Sequence, residues 1–435
     1  MFSLRKSQTP KWTNWSETVL IHPESIYYPK TVGDVVDLAG ICKAERKSIR
    51  AVGRGHSFTP LAATSELLVS LDHLSGIESV DRENNLVTIW AGTTLKTLGE
   101  LLFEQGYAME NLGDINVQSI AGAISTGTHG TGADFGSISA QVTQLTIVTP
   151  SGEILEVSRE KNSAYFQAMR LSLGMLGIIV KIQLRVIPVQ QMVSESYRMS
   201  LVDCLAKINE LRRNNRHFEF YWFPHTKTVQ IKRMNSTDMP TTKKSSFQEL
   251  VVENGLLWGL SELCRMQPKL TRPVSHISAR GVPVSKNAGP SHEMYATKRL
   301  VKFNEMEYAV PAELMTTVLK DIRHVIAKKK IQVHFPLECR FVKKDAIWLS
   351  PAFERDVAFI AVHMYKGMYF QGYFDAVEEV FQYHGGRPHW GKMHTMTAEK
   401  LQAAYPHFDD FLSVRKKLDS DGMLLNGYVK RLFNI

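Results

Sequence analysis

Ser119-Ile120-Ala121-Gly122-Ala123-Ile124-Ser125-Thr126-Gly127-Thr128-His129-Gly130-Thr131-Gly132 is the stretch whose reading decides the fold. Residues this small leave little side chain for a core, yet they expose amides and hydroxyls that wrap a phosphate and lie against a flat ring. Ile120, Ala121 and Ile124 give the segment an apolar anchor, which a linker does not need; the competing reading is a flexible surface turn. The change to small, polar residues begins just upstream, at Asn111-Leu112-Gly113-Asp114.

Toward the N-terminus, residues 31–45 carry Val35, Val36, Leu38 and Ile41 at helical spacing, and 48–52 reads as a short strand. That strand delivers Gly53-Arg54-Gly55-His56-Ser57, whose glycines let backbone N–H groups approach an anionic pyrophosphate. Gly-x-Gly after a strand is common, so this motif alone decides little. Residues 67–71 and 86–90 are further strands, with a helix at 94–105. Toward the C-terminus, 142–149 and 153–157 form a hairpin across Pro150-Ser151-Gly152, and an apolar run from Gly177 to Val186 ends at Ile187-Pro188-Val189.

The pattern predicts an α+β chain with residues 1–188 as a first domain, 189–395 as a second built on a mainly antiparallel sheet, and 396–435 returning to the first. Strands are expected at 218–222, 332–335, 347–349 and 358–362. Residues 274–293, rich in Ser, Pro and Gly without periodicity, are expected to form a long mobile loop or lid. The apolar run Gly255-Leu256-Leu257-Trp258-Gly259-Leu260 reads as a buried helix, with membrane contact as the alternative.

With 435 residues, 44% hydrophobic and 22% charged, the chain can bury a large core. Its apolar stretches are broken before the ~20 residues a membrane span needs, and Met1-Phe2-Ser3-Leu4-Arg5-Lys6 has no apolar signal core behind it. Cys42, Cys204, Cys264 and Cys339 stand far apart, which suggests neither a disulfide framework nor a metal site. Together these point to a cytoplasmic protein without an integral membrane segment. The net charge of +9 is dispersed over clusters such as Lys328-Lys329-Lys330, which argues against nucleic-acid binding.

Three blocks, Gly53-x-Gly55-His56-Ser57, the Ser119 to Gly132 stretch and Gly174-x-Leu176-Gly177-Ile178-Ile179, resemble in order and spacing the FAD domain of vanillyl-alcohol oxidase/p-cresol methylhydroxylase (PCMH) type flavoproteins. The resemblance implies FAD held by Gly53, Arg54, Gly55, His56, Ser57, Gly113, Asp114, Ser119, Gly122, Thr126, Gly127, Thr128, His129, Gly130, Gly177 and Ile178, with His389 also at the cofactor. It further implies a covalent bond from His56 to the flavin 8α-methyl, which would withdraw electron density and favour flavin reduction.

Glu338-Cys339-Arg340 reads as part of a strand, so the period of two places Glu338 and Arg340 on one face; the competing reading is a structural ion pair. Gly386-Arg387-Pro388-His389-Trp390-Gly391-Lys392 is by itself a decorated turn. Glu-x-Arg followed by His-Trp-Gly-Lys is similar to the sugar-1,4-lactone oxidases, of gulonolactone and arabinonolactone type, and to the related alditol oxidases. The likeness covers nearly the whole chain and is weakest over 195–300. It implies oxidation of a sugar-1,4-lactone by hydride transfer to flavin N5, with electrons passed to oxygen or another acceptor. By the same resemblance, Arg340 would stabilise the reduced ring and Glu338 would hold substrate hydroxyls. Lys392 and His363 are the two candidates for managing the proton. The alternatives are an alditol oxidase for xylitol or sorbitol type polyols and a flavin-free binding protein.

Overall fold

Residues 10–242, 246–297 and 300–435 are described in this computed structural model. Thr31 starts the first long helix, Val32–Glu45, through a reciprocal capping box with Asp34, and Arg46 ends it in the left-handed conformation. The helix crosses between the parallel strands Ser25–Tyr27 and Ile49–Val52, which flank Leu67–Ser70 in a three-stranded sheet. A five-stranded antiparallel sheet follows, ordered Ile154–Ser158, Val142–Val148, Ile178–Arg185, Leu86–Trp90 and Ile77–Asp81. The expected hairpin pairs Ile154 with Val148.

From Gln191 onward the chain builds an eight-stranded antiparallel sheet whose centre is His217–Trp222, Leu337–Val342, Val357–Tyr365 and Phe303–Pro311. The fold is thus α+β. Those four strands are almost wholly buried, yet their faces differ in chemistry. Phe218, Phe220, Leu337, Cys339, Ile360, Val362, Met306 and Tyr308 enter the apolar core beside helices Met315–Lys328 and Gln371–Tyr383, with the Tyr308 ring stacked on Phe381 at 4.9 Å. The alternate positions carry Glu219, Tyr221, Glu338, Arg340, His363, Glu305 and Glu307, and this face looks toward the first half of the chain. Register aligns Glu219 with Arg340, Tyr221 with Glu338 and His363 with Glu305.

The small-residue stretch lies on that face. The amide of Gly132 donates to the Phe341 carbonyl at 2.8 Å, and the His129 ring stacks on Phe359 at 3.7 Å. The C-terminal residues meet the first half as well. Ile49 donates its amide to the Met423 carbonyl at 2.9 Å, and the buried Arg50 guanidinium donates to carbonyls of Leu61, Leu173, Gly174 and Leu424.

Several expectations are corrected. Residues 274–293 are not a long loop: they contain most of helix Thr271–Arg280, strand Ser285–Pro290 at the sheet edge, and the start of helix Ser291–Tyr295. Neither 332–335 nor 347–349 is a strand. The latter is a turn stapled by Asp345, which accepts from the Ile347 amide at 3.0 Å and the Ser350 hydroxyl at 2.7 Å. The apolar run at 255–260 is helical, within Ser246–Met266, but only one side of it is buried.

Candidate active site

Strand Ile49–Val52 delivers Gly53 against the start of helix Ile120–Thr126, so closely that a Cβ on Gly53 would stand 2.2 Å from the Ser119 hydroxyl oxygen. Gly55 then adopts φ 68°, a turn that favours glycine. Gly53, Arg54, Gly55, His56, Ser57, Ser119, Gly122, Thr126 and Gly177 line one cleft. Gly113, Asp114, Thr128, His129, Glu338, Arg340, His363, His389 and Lys392 line a cavity of about 520 Å³. His56, Ser57, Gln118 and Thr126 belong to both, so the two are one continuous groove. Gly127, Gly130 and Ile178 line neither: Gly127 ends the helix in the left-handed conformation, Gly130 packs on Asn111 and Leu112, and Ile178 is buried at the start of its strand. A larger concavity, about 1230 Å³, opens elsewhere and holds none of the expected site residues.

One wall of the cavity is built on Arg340. Its Nε donates to Glu219 at 2.8 Å and its Nη2 to Glu338, while the Tyr221 hydroxyl donates to Glu338 at 2.7 Å and lies 3.0 Å from Glu219. Burial acts to lower the Arg340 pKa, but Glu338 and Glu219 outweigh it and hold the guanidinium well above its usual range. The pair reading for Glu338 and Arg340 therefore holds, but the pair faces a cavity instead of the surface.

The facing group is Lys392, Glu305 and His363. Glu305 accepts from Lys392 and lies 3.4 Å from His363 Nε2, while His363 Nδ1 meets the Pro336 carbonyl at 3.0 Å. Burial tends to raise the Glu305 carboxyl, yet Lys392, which donates to it, holds it well below the usual carboxylate range. Beside them, Glu307 lies 3.3 Å from His129 Nε2; burial opposes its charge, but His129 brings its pKa down to about 2.

His129, Glu307 and His389 have ligand atoms within 4.8 Å of one another, as a metal site would. The hydrogen bonding argues against that use. His389 Nδ1 accepts from the Gly391 amide at 3.0 Å, so a neutral ring carries its hydrogen on Nε2 and offers no further lone pair. Burial depresses the His389 pKa to about 3, which keeps the ring neutral.

The groove suits a bound dinucleotide by two features of its own. Gly53, Gly55 and Gly122 leave the cleft wall as bare backbone, and Gln118 Oε1, at the junction of cleft and cavity, is buried without a hydrogen-bond partner. Glu305, Glu307, Glu219 and Tyr221 were not anticipated from the sequence. Their signal was present, since Glu305 and Glu307 alternate with Met306 and Tyr308, as do Glu219 and Tyr221 with Phe218, Phe220 and Trp222.

Comparison with known proteins bears on both halves. Residues 23–158 match an FAD-binding domain family, and 182–432 match the D-arabinono-1,4-lactone oxidase family. An L-gulono-1,4-lactone dehydrogenase of Mycobacterium tuberculosis is 36% identical over 98% of this chain and 99% of its own length. An L-gulonolactone oxidase of Mus musculus is 31% identical over 97% of this chain and 98% of its own. A crystal structure of cholesterol oxidase from B. sterolicum shares the fold, with a TM-score of 0.85 at 19% identity, covering 97% of this chain and 96% of that one.

Proposed function

The chain belongs to the D-arabinono-1,4-lactone oxidase family of FAD-dependent oxidoreductases, and from that premise we propose that it oxidises a sugar-1,4-lactone of the gulono, galactono or arabinono type at a hydroxyl-bearing carbon. The observation that carries the reading is the single cavity in which Arg340, fixed by two carboxylates, faces the Lys392–Glu305–His363 cluster and opens into the glycine-lined cleft. Bound FAD supplies the acceptor for the hydride that leaves the lactone carbon.

The chain's own residues divide the remaining work. The backbone of Gly53 to Ser57 and of Ser119 to Gly122 would hold the pyrophosphate, and His56, partly buried and stacked near Trp15 at 5.9 Å, is the proposed covalent anchor. Arg340 supplies positive charge that compensates the electrons delivered to the cofactor. Glu338, oriented by Tyr221 and Arg340, accepts hydrogen bonds from lactone hydroxyls. A carbonyl can only accept, so His363 carries hydrogen on Nδ1 and turns Nε2 toward the cavity. In this reading His363 takes the hydroxyl proton, Glu305 stabilises the imidazolium that results, and Lys392 donates a hydrogen bond to substrate.

Steady-state turnover tests the substrate class. With enzyme held at one concentration, kcat/KM for a 1,4-lactone should exceed that for xylitol or sorbitol, and Arg340→Met should lower the lactone value by about 10²-fold or more. Faster turnover of the polyols would move the assignment to an alditol oxidase. The relatives are named as both dehydrogenase and oxidase, and the proposal concerns the lactone half-reaction common to both.

A further inference from the structure

A pocket of about 480 Å³ is lined from the end of strand His217–Trp222 and from helix Met315–Lys328, and none of its lining residues belongs to the cleft or the cavity of the candidate active site. Lys227, Lys320 and Arg323 line it together with His225 and His324, and no aspartate or glutamate does. Lys320, Arg323 and His324 fall three and four residues apart, so they leave the helix on one face, while Lys227 arrives from the loop after the strand. Among the described residues, Lys227, Lys320 and Arg323 form no ion pair with a carboxylate. Like charges gathered without a counter-charge repel one another, and a bound anion removes that repulsion.

The lining is also held in shape. Arg323 lies over the Trp222 ring at 5.7 Å, and the Trp222 indole N–H donates to the Thr226 carbonyl at 3.1 Å, which closes the turn at 223–226. Within that turn His225 takes φ 66°, a left-handed conformation costly for a residue with a side chain, and its Nε2 is buried without a hydrogen-bond partner. Burial, and then the charge of Arg272, lower the His225 pKa, so the ring sits in a positive field that an anion relieves. A guanidinium fork and two ammonium groups offer more N–H donors than one carboxylate can use, and they match the oxygens and double charge of a phosphate. The volume falls in the range of small-molecule pockets, roughly 300–1,000 Å³, and exceeds what a bare phosphate ion needs. We propose that this pocket binds a small phosphorylated metabolite, a phosphomonoester whose dianion is held by Lys227, Lys320 and Arg323 with His225, and whose organic part fills the remaining space.

The test is isothermal titration calorimetry of the FAD-loaded full chain with glucose 6-phosphate, and with glucose and inorganic phosphate as separate titrants; bound FAD keeps the pyrophosphate cleft filled. Glucose 6-phosphate should bind at one saturable site, more tightly than inorganic phosphate, and glucose should not bind there. Affinity should fall about tenfold or more in Lys320→Ala combined with Arg323→Ala, and weaken as salt rises. Flavin content and circular dichroism check folding, and Lys320→Glu alone, at an exposed helix position, gives the same loss should the double change misfold. Absence of saturable binding by either phosphate at low ionic strength would overturn the proposal, as would binding that both variants leave unchanged. An equal loss in Lys43→Ala combined with Lys417→Ala, which removes the same charge from the larger concavity, would assign the binding to general charge and overturn it too. Inorganic phosphate binding as tightly as the sugar phosphate would overturn the assignment to a phosphomonoester.

Discussion

At the scale of single residues, the site is a set of shared carboxylates. Glu305 serves Lys392 and His363 together, and Glu219 with Glu338 holds Arg340, so removing one acid disturbs two partners. In the proposed roles, His363→Gln should lower kcat by about 10²- to 10⁴-fold, the range of a lost general base. Glu305→Gln should lower kcat by about 10²-fold with less change in KM, and Lys392→Met should act chiefly on KM. Steady-state kinetics on the three variants checks the division; a larger kcat loss in Lys392→Met than in His363→Gln would exchange the roles of the lysine and the histidine. That Glu338, Arg340 and Lys392 share one cavity with His363 was legible because the first three lie in contiguous motifs that carry a family resemblance, and His363 falls at the distance from Glu-x-Arg that the resemblance implies. Glu305 and Glu219 were not, because an acid within an apolar strand acquires meaning only when register sets it opposite a polar partner, as Glu305 meets His363 and Glu219 meets Arg340.

At the scale of elements, the glycine turn after Ile49–Val52 works through closeness to the helix that begins beside Ser119. Gly53→Ala would drive a methyl into the Ser119 hydroxyl, so flavin content of the purified variant should fall well below wild type. Adding Ser119→Ala should restore part of it, because the clash is with the side chain; an unchanged deficit in the double variant would show that the backbone at Gly53 matters for another reason. The helices and hairpin of the first half were readable from periodicity and turn chemistry. The misread elements fail for local reasons. Residues 332–335 alternate like a strand, but the chain there meets Pro336, which lacks an N–H donor, before the true strand starts at Leu337. Residues 274–293 look like a loop by composition, yet Val274, Ala279, Val282 and Ala288 are buried. Gly289 and Pro290 are tolerated because their strand lies at the sheet edge, against Gln191 and Met192.

At the scale of the whole molecule, the groove lies between the glycine-rich segments of the first half and the polar face of the large sheet, so binding and stability draw on the same buried groups. Burial lowers the pKa of His217, His334 and His394 to about 4 and of His389 to about 3, from 6.5. The unfolded chain therefore binds protons below pH 6.5 that the folded chain refuses. Their contribution is complete above pH 6.5 and is lost as pH falls through about 4. Tm should decline steadily across that window; a flat profile from 6.5 to 4 would show these rings to be protonated in the fold. The most direct measurement for the central claim is the absorption spectrum of the purified protein, taken anaerobically before and after addition of L-gulono-1,4-lactone, with a second portion precipitated in acid. The expected result is a flavin band that the lactone bleaches and that xylitol leaves, with the colour remaining in the acid pellet and lost from it in His56→Ala. Colour released into the supernatant would remove the covalent anchor alone, whereas protein without flavin, or flavin that no lactone reduces, would contradict the assigned function.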